Sequence, residues 1–338
     1  MAFQGGCAGV ADRQLNSAME QAIHLYRTMK LIREVETSLA KLFADGEVPG
    51  FIHLSVGQEA VAAGVCAALG ADDSVATTHR GHGHVLARGL DLGEFFLEIM
   101  GKAEGICAGR GGSMHVSDMR LGIIGANGIV GAGIPIALGS ALSHSIKKNG
   151  AVAVAFFGDG AMAEGVLHES MNIASLWKLP LLLVCENNGW SEFSPTSRQF
   201  AAKLESLGGA FGIEHCKVDG NNALDVHEAA SLAVASMRSS PRASILECIT
   251  HRVHGHYEGD PQKYRDPEDL ATLVEHDPLN VIKSKLAAMG FDEKKIATID
   301  DEVAALIAHA IKQAQAGDEP NFEQAVNDVY SPSTPEAA

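Results

Sequence analysis

The segment AVAVAFFGDGAMAEG, residues 151–165, constrains this chain more than any other. An apolar run breaks into Gly158-Asp159-Gly160, and apolar residues at helical spacing follow, among them Leu167, Met171 and Ala174. A second apolar run, Leu181 to Cys185, breaks in turn into Glu-Asn-Asn-Gly-Trp. With 26 residues between Gly160 and Asn187, there is room for one helix and one strand, so the two runs read as parallel neighbours joined by a crossover. SVATT (74–78) and ASILECIT (243–250) are further strand candidates. Strand and helix in alternation predict an α/β fold, a doubly wound, mainly parallel sheet with helices on both faces. Such sheets carry their chemistry past the carboxyl ends of the strands, where HRGHGH, GDG, ENNGW and HRVHGH each stand.

A glycine-rich turn leading from a strand into a helix is a place for an anion, yet Asp159 would repel phosphate there. A divalent cation between the two removes the conflict, because Mg²⁺ joins one or two protein oxygens to substrate phosphates. Asn188 and nearby backbone carbonyls, at the end of the next strand, supply a second oxygen. Gly-Asp-Gly alone serves many ordinary turns, and it is the pairing across one crossover that points to a metal site. Two other readings fit the same turn: a metal-dependent phosphohydrolase with Asp159 as nucleophile, and a scaffold subunit without chemistry.

Arg80 follows a strand and suits a bidentate bond to a phosphate oxygen, although a lone arginine more often serves a surface ion pair. His53, His79, His82, His84, His115, His251, His254 and His256 all fall in expected loops. Such histidines are usually solvated or structurally bonded, but near neutral pH an imidazole can also donate or move a proton. A zinc site is disfavoured because neither HRGHGH nor HRVHGH has an acidic or thiol ligand beside it.

The remaining features bound the molecule. At 338 residues and 46% hydrophobic, the chain can build a sizeable core, and its formal charge of −16 argues against nucleic acid or an anionic membrane as partner. Residues 257–338 hold 17 Asp and Glu against 7 Lys and Arg and read as surface helices. Six scattered cysteines without a CxxC pair, and a start without signal or transit pattern, predict reduced thiols and a cytoplasmic protein. Residues 121–142 are apolar enough to mimic a membrane span, but their glycines and Pro135 favour a tightly wound backbone followed by a buried helix, IPIALGSALSHSIKK. Helical spacing covers 16–45, and another helix is expected from near Gly57. The expected organisation is a flexible N-terminus (1–15), one domain (16–330, with 257–330 its acidic helical part) and a frayed tail (331–338).

The linked GDG…NN pair resembles the signature of thiamine diphosphate enzymes. Together with GFIHLSVGQEA, THRGHG, GRGGSMH, GANGIVGA, LWKLPLLLVCENN and HRVHGHYEGDPQKYR, it makes residues 20–330 similar to the α subunit of the E1 component of 2-oxo acid dehydrogenase complexes. HRGHGH, GANGIVGAG and HYEGDPQKYR look most like the acetoin-type members. The resemblance implies a thiamine diphosphate-binding fold with helical N- and C-terminal extensions. It makes Asp159 and Asn188 side-chain ligands of Mg²⁺ and Trp190 a ligand through its backbone carbonyl. It places Arg80, the amides of Gly160 and Ala161, and His79 on the cofactor, His79 standing where pyruvate-type relatives commonly have tyrosine. Gly128 and Val130 would meet the aminopyrimidine, and His53 and His256 would act near the thiazolium and the diphosphate as the catalytic imidazoles. Ser113 and His115 would belong to the active-site wall. A β subunit would supply the activating glutamate in an α2β2 heterotetramer, and a lipoyl-bearing E2 would take the acetyl unit. Acetoin is the substrate implied, pyruvate or a branched-chain 2-oxo acid the alternative. Tyr257 stands where a mammalian pyruvate enzyme has a regulatory serine, so phosphorylation is not expected there.

Overall fold

The computed structural model describes the backbone of residues 6–327 and side chains from residue 17 onward. In chain order the strands are β1 (Ser74–Ala76), β2 (Ile123–Gly125), β3 (Ala153–Gly158), β4 (Leu181–Asn187), β5 (Trp190–Ser191), β6 (Ser194–Pro195), β7 (Glu214–Asp219) and β8 (Ser244–Ile249). The helices are α1 (Gly6–Ala44), α2 (Glu59–Ala67), α3 (His82–Ala87), α4 (Leu92–Ile99), α5 (Gly133–Lys147) and α6 (Gly165–Leu176). They continue with α7 (Leu204–Ala210), α8 (Ala223–Ser239), α9 (Pro267–Thr272), α10 (Pro278–Ala288), α11 (Glu293–Gln315) and α12 (Phe322–Asn327).

Six strands form one sheet in the order β2-β1-β3-β4-β8-β7, every pair parallel. The two apolar runs either side of GDG are adjacent, with Ala153 opposite Leu181 and Gly158 opposite Glu186. Period-two alternation divides their side chains between two cores. Val154, Phe156, Leu182 and Val184 enter the larger one, under α1, α2, α8, α10 and α11. Ala153, Ala155, Phe157, Leu181 and Leu183 enter the smaller one, under α5, α6 and α7. A strand buried on both faces cannot show polar alternation, which is why these runs are continuously apolar.

The chain passes outward from β1 to β2 and returns to β3 on the other side of β1. Strand order therefore reverses between β1 and β3, and their carboxyl-terminal loops splay apart to leave a crevice. HRGHGH and GDG are the two loops concerned.

Several boundaries differ from expectation. α1 begins at Gly6 rather than 16, so residues 6–15 of the expected flexible N-terminus are helical. Its stripe of Leu25, Met29, Ile32, Val35 and Leu39 is fully buried. Residues 331–338 lie outside those described. The membrane-like stretch splits into β2, a turn and α5, and among the described residues no helix is long and apolar enough to cross a membrane. α5 is buried on one side only: Ile134, Ala137, Leu138 and Ala141 are covered, while Ile136 and Ile146 are exposed.

α2 and α8 pack closely because Gly64 has no side chain. A Cβ there would lie 2.8 Å from Cβ and Cγ1 of Val226 and 2.9 Å from the Ala223 carbonyl. Gly64→Ala should therefore cost about 1–3 kcal/mol through overpacking, against the small gain a surface helix would draw from the same change. Urea unfolding measures it, and an unchanged midpoint would mean that the two helices separate freely.

Candidate active site

A cavity of about 320 Å³ opens past the carboxyl ends of β1, β3, β4 and β8. That is the size range of a small-molecule or cofactor site. Its walls gather His53, His79, Arg80, Gly128, Val130, Asp159, Gly160, Ala161, Asn188, Trp190 and His256, the positions that the resemblance put on cofactor, metal or catalytic proton, while His251 and His254 do not line it. Other expectations are corrected. His82 and His84 are not loop residues but sit on α3, each 1% exposed. Ser113 faces Nε2 of His82 at 2.7 Å and His115 is exposed, so the wall there is formed by Met114 between them.

The acidic turn is a short 3-10 helix, Asp159–Ala163, and α6 begins only at Gly165. The amides of Gly160 and Ala161 thus belong to this turn and not to the first turn of an α-helix. Of the two flanking glycines, Gly160 is the one that sterics demand: a Cβ would lie 2.6 Å from Ser191 Oγ, whereas Gly158 has open space. Asp159 is 1% exposed. Its Oδ1 accepts the Asn188 N–H at 3.3 Å, and its Oδ2 accepts the Thr196 hydroxyl. Burial nevertheless pushes its carboxyl up to about 6, which means that its charge is not compensated by what surrounds it. Asn188 accepts the Trp190 N–H at Oδ1 (3.0 Å) and donates through Nδ2 to Gln58 (2.9 Å).

Opposite this carboxylate stand two buried guanidiniums. Arg80, at the end of β1, donates to the carbonyls of Leu54 and His256. Arg252, just beyond β8, donates to the Glu192 carbonyl and to the Tyr264 hydroxyl, and its Nε has no partner. Neither is ion-paired to a carboxylate among the described residues. Burial, and then the Arg252 charge, lower Arg80 to about 10; Arg252 is lowered too, chiefly by burial. Two neighbouring buried cations held by neutral acceptors constitute a site short of negative charge.

Three imidazoles line the same wall. The ring centroids of His53 and His79 are 4.7 Å apart, those of His53 and His256 5.0 Å. Burial, followed by the Arg80 charge, lowers His53 to about 3 and His256 to about 4, and moves His79 the same way. The same burial and the same cation thus disfavour the charged form of all three.

Arg252, Gln58, Thr196 and Glu186 were not singled out from the sequence, yet the first three bond at the site and Glu186 lines the cavity. Arg252 had a signal: it follows a strand end as Arg80 does. Gln58 and Thr196 had none, because their partners come from segments remote in the chain.

An acidic turn and a pair of buried arginines line one cavity at the reversal point of a parallel sheet, the place where α/β enzymes bind their ligands. Residues 27–323 match the family described as dehydrogenase E1 component. The chain is 41% identical to the α subunit of acetoin:2,6-dichlorophenolindophenol oxidoreductase of Bacillus subtilis, over 94% of this chain and 95% of that one. It is 41% identical to the Cupriavidus necator protein of the same name, over 92% and 94% of the two chains, and 38% identical to a pyruvate dehydrogenase E1 component α subunit of Zymomonas mobilis, over 92% and 88%. The chain belongs to the dehydrogenase E1 component family, whose members are thiamine diphosphate-dependent oxidoreductases.

Proposed function

We propose that this chain is the α subunit of a thiamine diphosphate- and Mg²⁺-dependent E1 enzyme that cleaves acetoin, releasing acetaldehyde and passing an acetyl unit to a lipoyl-bearing E2. The observation that carries the reading is the confrontation of Asp159 with Arg80 and Arg252 across one cavity. A buried carboxylate short of a cation and buried guanidiniums short of an anion would both be satisfied by a metal diphosphate.

Asp159 and Asn188 would hold Mg²⁺ with the Trp190 carbonyl. Arg80 and the amides of Gly160 and Ala161 would hold the diphosphate, joined by Arg252, and His79 would contact the same end of the cofactor. Gly128 and Val130 would bear on the aminopyrimidine. Bound there, the cofactor would supply a carbanionic carbon for the substrate carbonyl and a sink for the electron pair. His53 and His256 line the cavity and, with the diphosphate charge offsetting that of Arg80, which lowers both, would accept the proton of a substrate hydroxyl. Acetoin cleavage needs such an acceptor because its hydroxyl proton must leave as the carbon–carbon bond breaks; decarboxylation of a 2-oxo acid does not.

The names of the two 41%-identical relatives support acetoin as substrate. An exposed apolar rim supports a partner subunit: Ile129 and Val130 line the cavity yet are 73% and 48% exposed. A β subunit covering this rim in an α2β2 assembly would close the cavity and exclude water. Purified with its β partner, the chain should reduce an artificial dye in the presence of acetoin, only with thiamine diphosphate and Mg²⁺ added. Turnover with 2-oxo acids and none with acetoin would move the assignment to a pyruvate or branched-chain enzyme.

A further inference from the structure

β8 is an apolar strand that carries a carboxylate. Ile245, Leu246 and Cys248 are at most 1% exposed, and Glu247 among them is 7% exposed. A carboxylate is kept in such a layer only where hydrogen bonds or an opposite charge hold it. The two oxygens of Glu247 have partners on the two neighbouring strands. Oε2 faces Nε2 of His215 on β7 at 2.8 Å, and Oε1 accepts an N–H of the Asn187 amide, at the end of β4, at 2.6 Å. The registers put both within reach. Glu247 stands opposite Cys185 of β4 and Lys217 of β7, and Asn187 and His215 lie two residues along from these, on the same face of the sheet.

The bond to Asn187 leads to the cavity. An ionised carboxylate only accepts, so it draws the NH₂ of the Asn187 amide to itself and turns Oδ1 the other way. That oxygen accepts the Gly189 N–H at 3.2 Å. Gly189 has a φ of +77°, and it closes the turn between Asn188 and Trp190. Without Glu247 the Asn187 amide is free to rotate and set its NH₂ against the Gly189 N–H, two donors in opposition.

We propose that Glu247 is a positioning residue for the cation site: acting through Asn187, it holds the turn 187–190 in the form in which the Asn188 side chain and the Trp190 carbonyl serve one ion together with Asp159. This rests on the assignment of those three residues to Mg²⁺. Neither Glu247 nor Asn187 lines the cavity, so any effect of Glu247 on the ion must pass through the turn. Partners that orient a ligand from outside in this way are worth about 10–100-fold in metal affinity.

The test uses the enzyme assembled with its β partner and stripped of metal. Mn²⁺ is the probe, because it takes the oxygen ligands of a Mg²⁺ site and its free form is counted by electron paramagnetic resonance. With thiamine diphosphate present, the native enzyme should take up Mn²⁺, and Glu247→Ala should weaken that uptake by about 10–100-fold. Glu247→Gln should recover most of the loss, since its carbonyl still accepts from Asn187 and its NH₂ suits the other tautomer of His215. Asn187→Ala should weaken uptake as Glu247→Ala does, and the double variant should be little worse than either, because the two residues act as one link. Asn187 is only half-buried, so its variant carries the test where Glu247→Ala does not fold. A purely structural contribution would lower the melting curve of the metal-free enzyme and leave the Mn²⁺ affinity where it was. Native affinity in Glu247→Ala, a loss in Glu247→Gln as large as in Glu247→Ala, or full additivity in the double variant would overturn the proposal alone. A native enzyme that takes up no Mn²⁺ with thiamine diphosphate would overturn it together with the metal assignment.

Discussion

Replacing Asp159 with asparagine should make the cofactor-free chain more stable near neutral pH while leaving it unable to hold a metal diphosphate. The two effects share one cause. Burial raises this carboxyl from 3.8 to about 6, so the fold favours its protonated form. A raised folded-state value means that this group's contribution is fully favourable below about pH 4 and is lost as the pH climbs from 3.8 through about 6. Above that the ionised carboxylate burdens the cofactor-free fold by about 3 kcal/mol, at 1.36 kcal/mol for each unit of displacement. Asparagine keeps one oxygen, for the Asn188 N–H, and carries no charge, while its NH₂ group can donate to the Thr196 hydroxyl, so up to that amount should be recovered, less the cost of turning that hydroxyl round. The melting temperature at pH 7 should rise by a few degrees, and the gain should vanish at pH 4. A neutral amide is a far poorer Mg²⁺ ligand than a carboxylate. Mg²⁺-dependent uptake of thiamine diphosphate, followed by calorimetry, should disappear, and turnover of the assembled enzyme should fall by at least about 10²–10³-fold, as when other fixed electrostatic contacts are deleted. Retention of tight Mg²⁺-dependent uptake by the variant would remove the central support of the functional assignment.

The same residue shows how far the sequence could be read. Asp159 and Asn188 were legible because both lie at ends of strands that are continuous in the chain, and a crossover of fixed length obliges those ends to meet. Arg80 and His256 were legible through the loops that follow β1 and β8. The resemblance to E1 α subunits added the residues that no spacing rule would reach, Gly128 and Val130 above all. What stayed hidden was pairing between distant segments. Nothing local tells that Thr196 donates to Asp159 or that Gln58 braces Asn188, and nothing in HRGHGH separates His79, on the cavity, from His82 and His84, which turn away into the core. The division is one of local structure: a short helix starts at His82, and His82, Gly83 and His84 are all buried in it. α5 was misjudged for a related reason. Its composition is apolar all round, but composition cannot tell a face covered by the sheet from a face left for another chain, and Ile136 and Ile146 are exposed.

Removal of the Glu36 carboxylate should be the most destabilising single change on the helical side of the site. Glu36 lies on α1 among other charged residues, where sequence alone suggests a solvated position, yet it is fully buried. Its Oε1 accepts both the amide and the hydroxyl of Ser55, at 2.8 and 2.6 Å, and its Oε2 faces Nδ1 of His82 at 2.9 Å. Nε2 of His82 then faces Ser113 at 2.7 Å. One carboxylate thereby ties α1 to the loop that carries His53, to α3, and through His82 to the turn that carries Met114 into the cavity. Burial works to raise Glu36, but His82 and then Ser55 outweigh it and hold the carboxyl below its usual range. The sign is opposite to that of Asp159. The stability Glu36 contributes is present above the ordinary glutamate value and is lost as the pH falls through the lowered one. Glu36→Ala strands the Ser55 amide and His82 without an acceptor and leaves a void, which should cost about 3–5 kcal/mol, a large share of the stability of an ordinary domain. Glu36→Gln should cost less, because its carbonyl can still accept from Ser55, and its deficit against the native chain should shrink in acid. Urea unfolding at pH 7 and at pH 4 measures both. A deficit under about 1 kcal/mol for Glu36→Ala would mean that water reaches this carboxylate and that the loops around the cavity are held by other contacts.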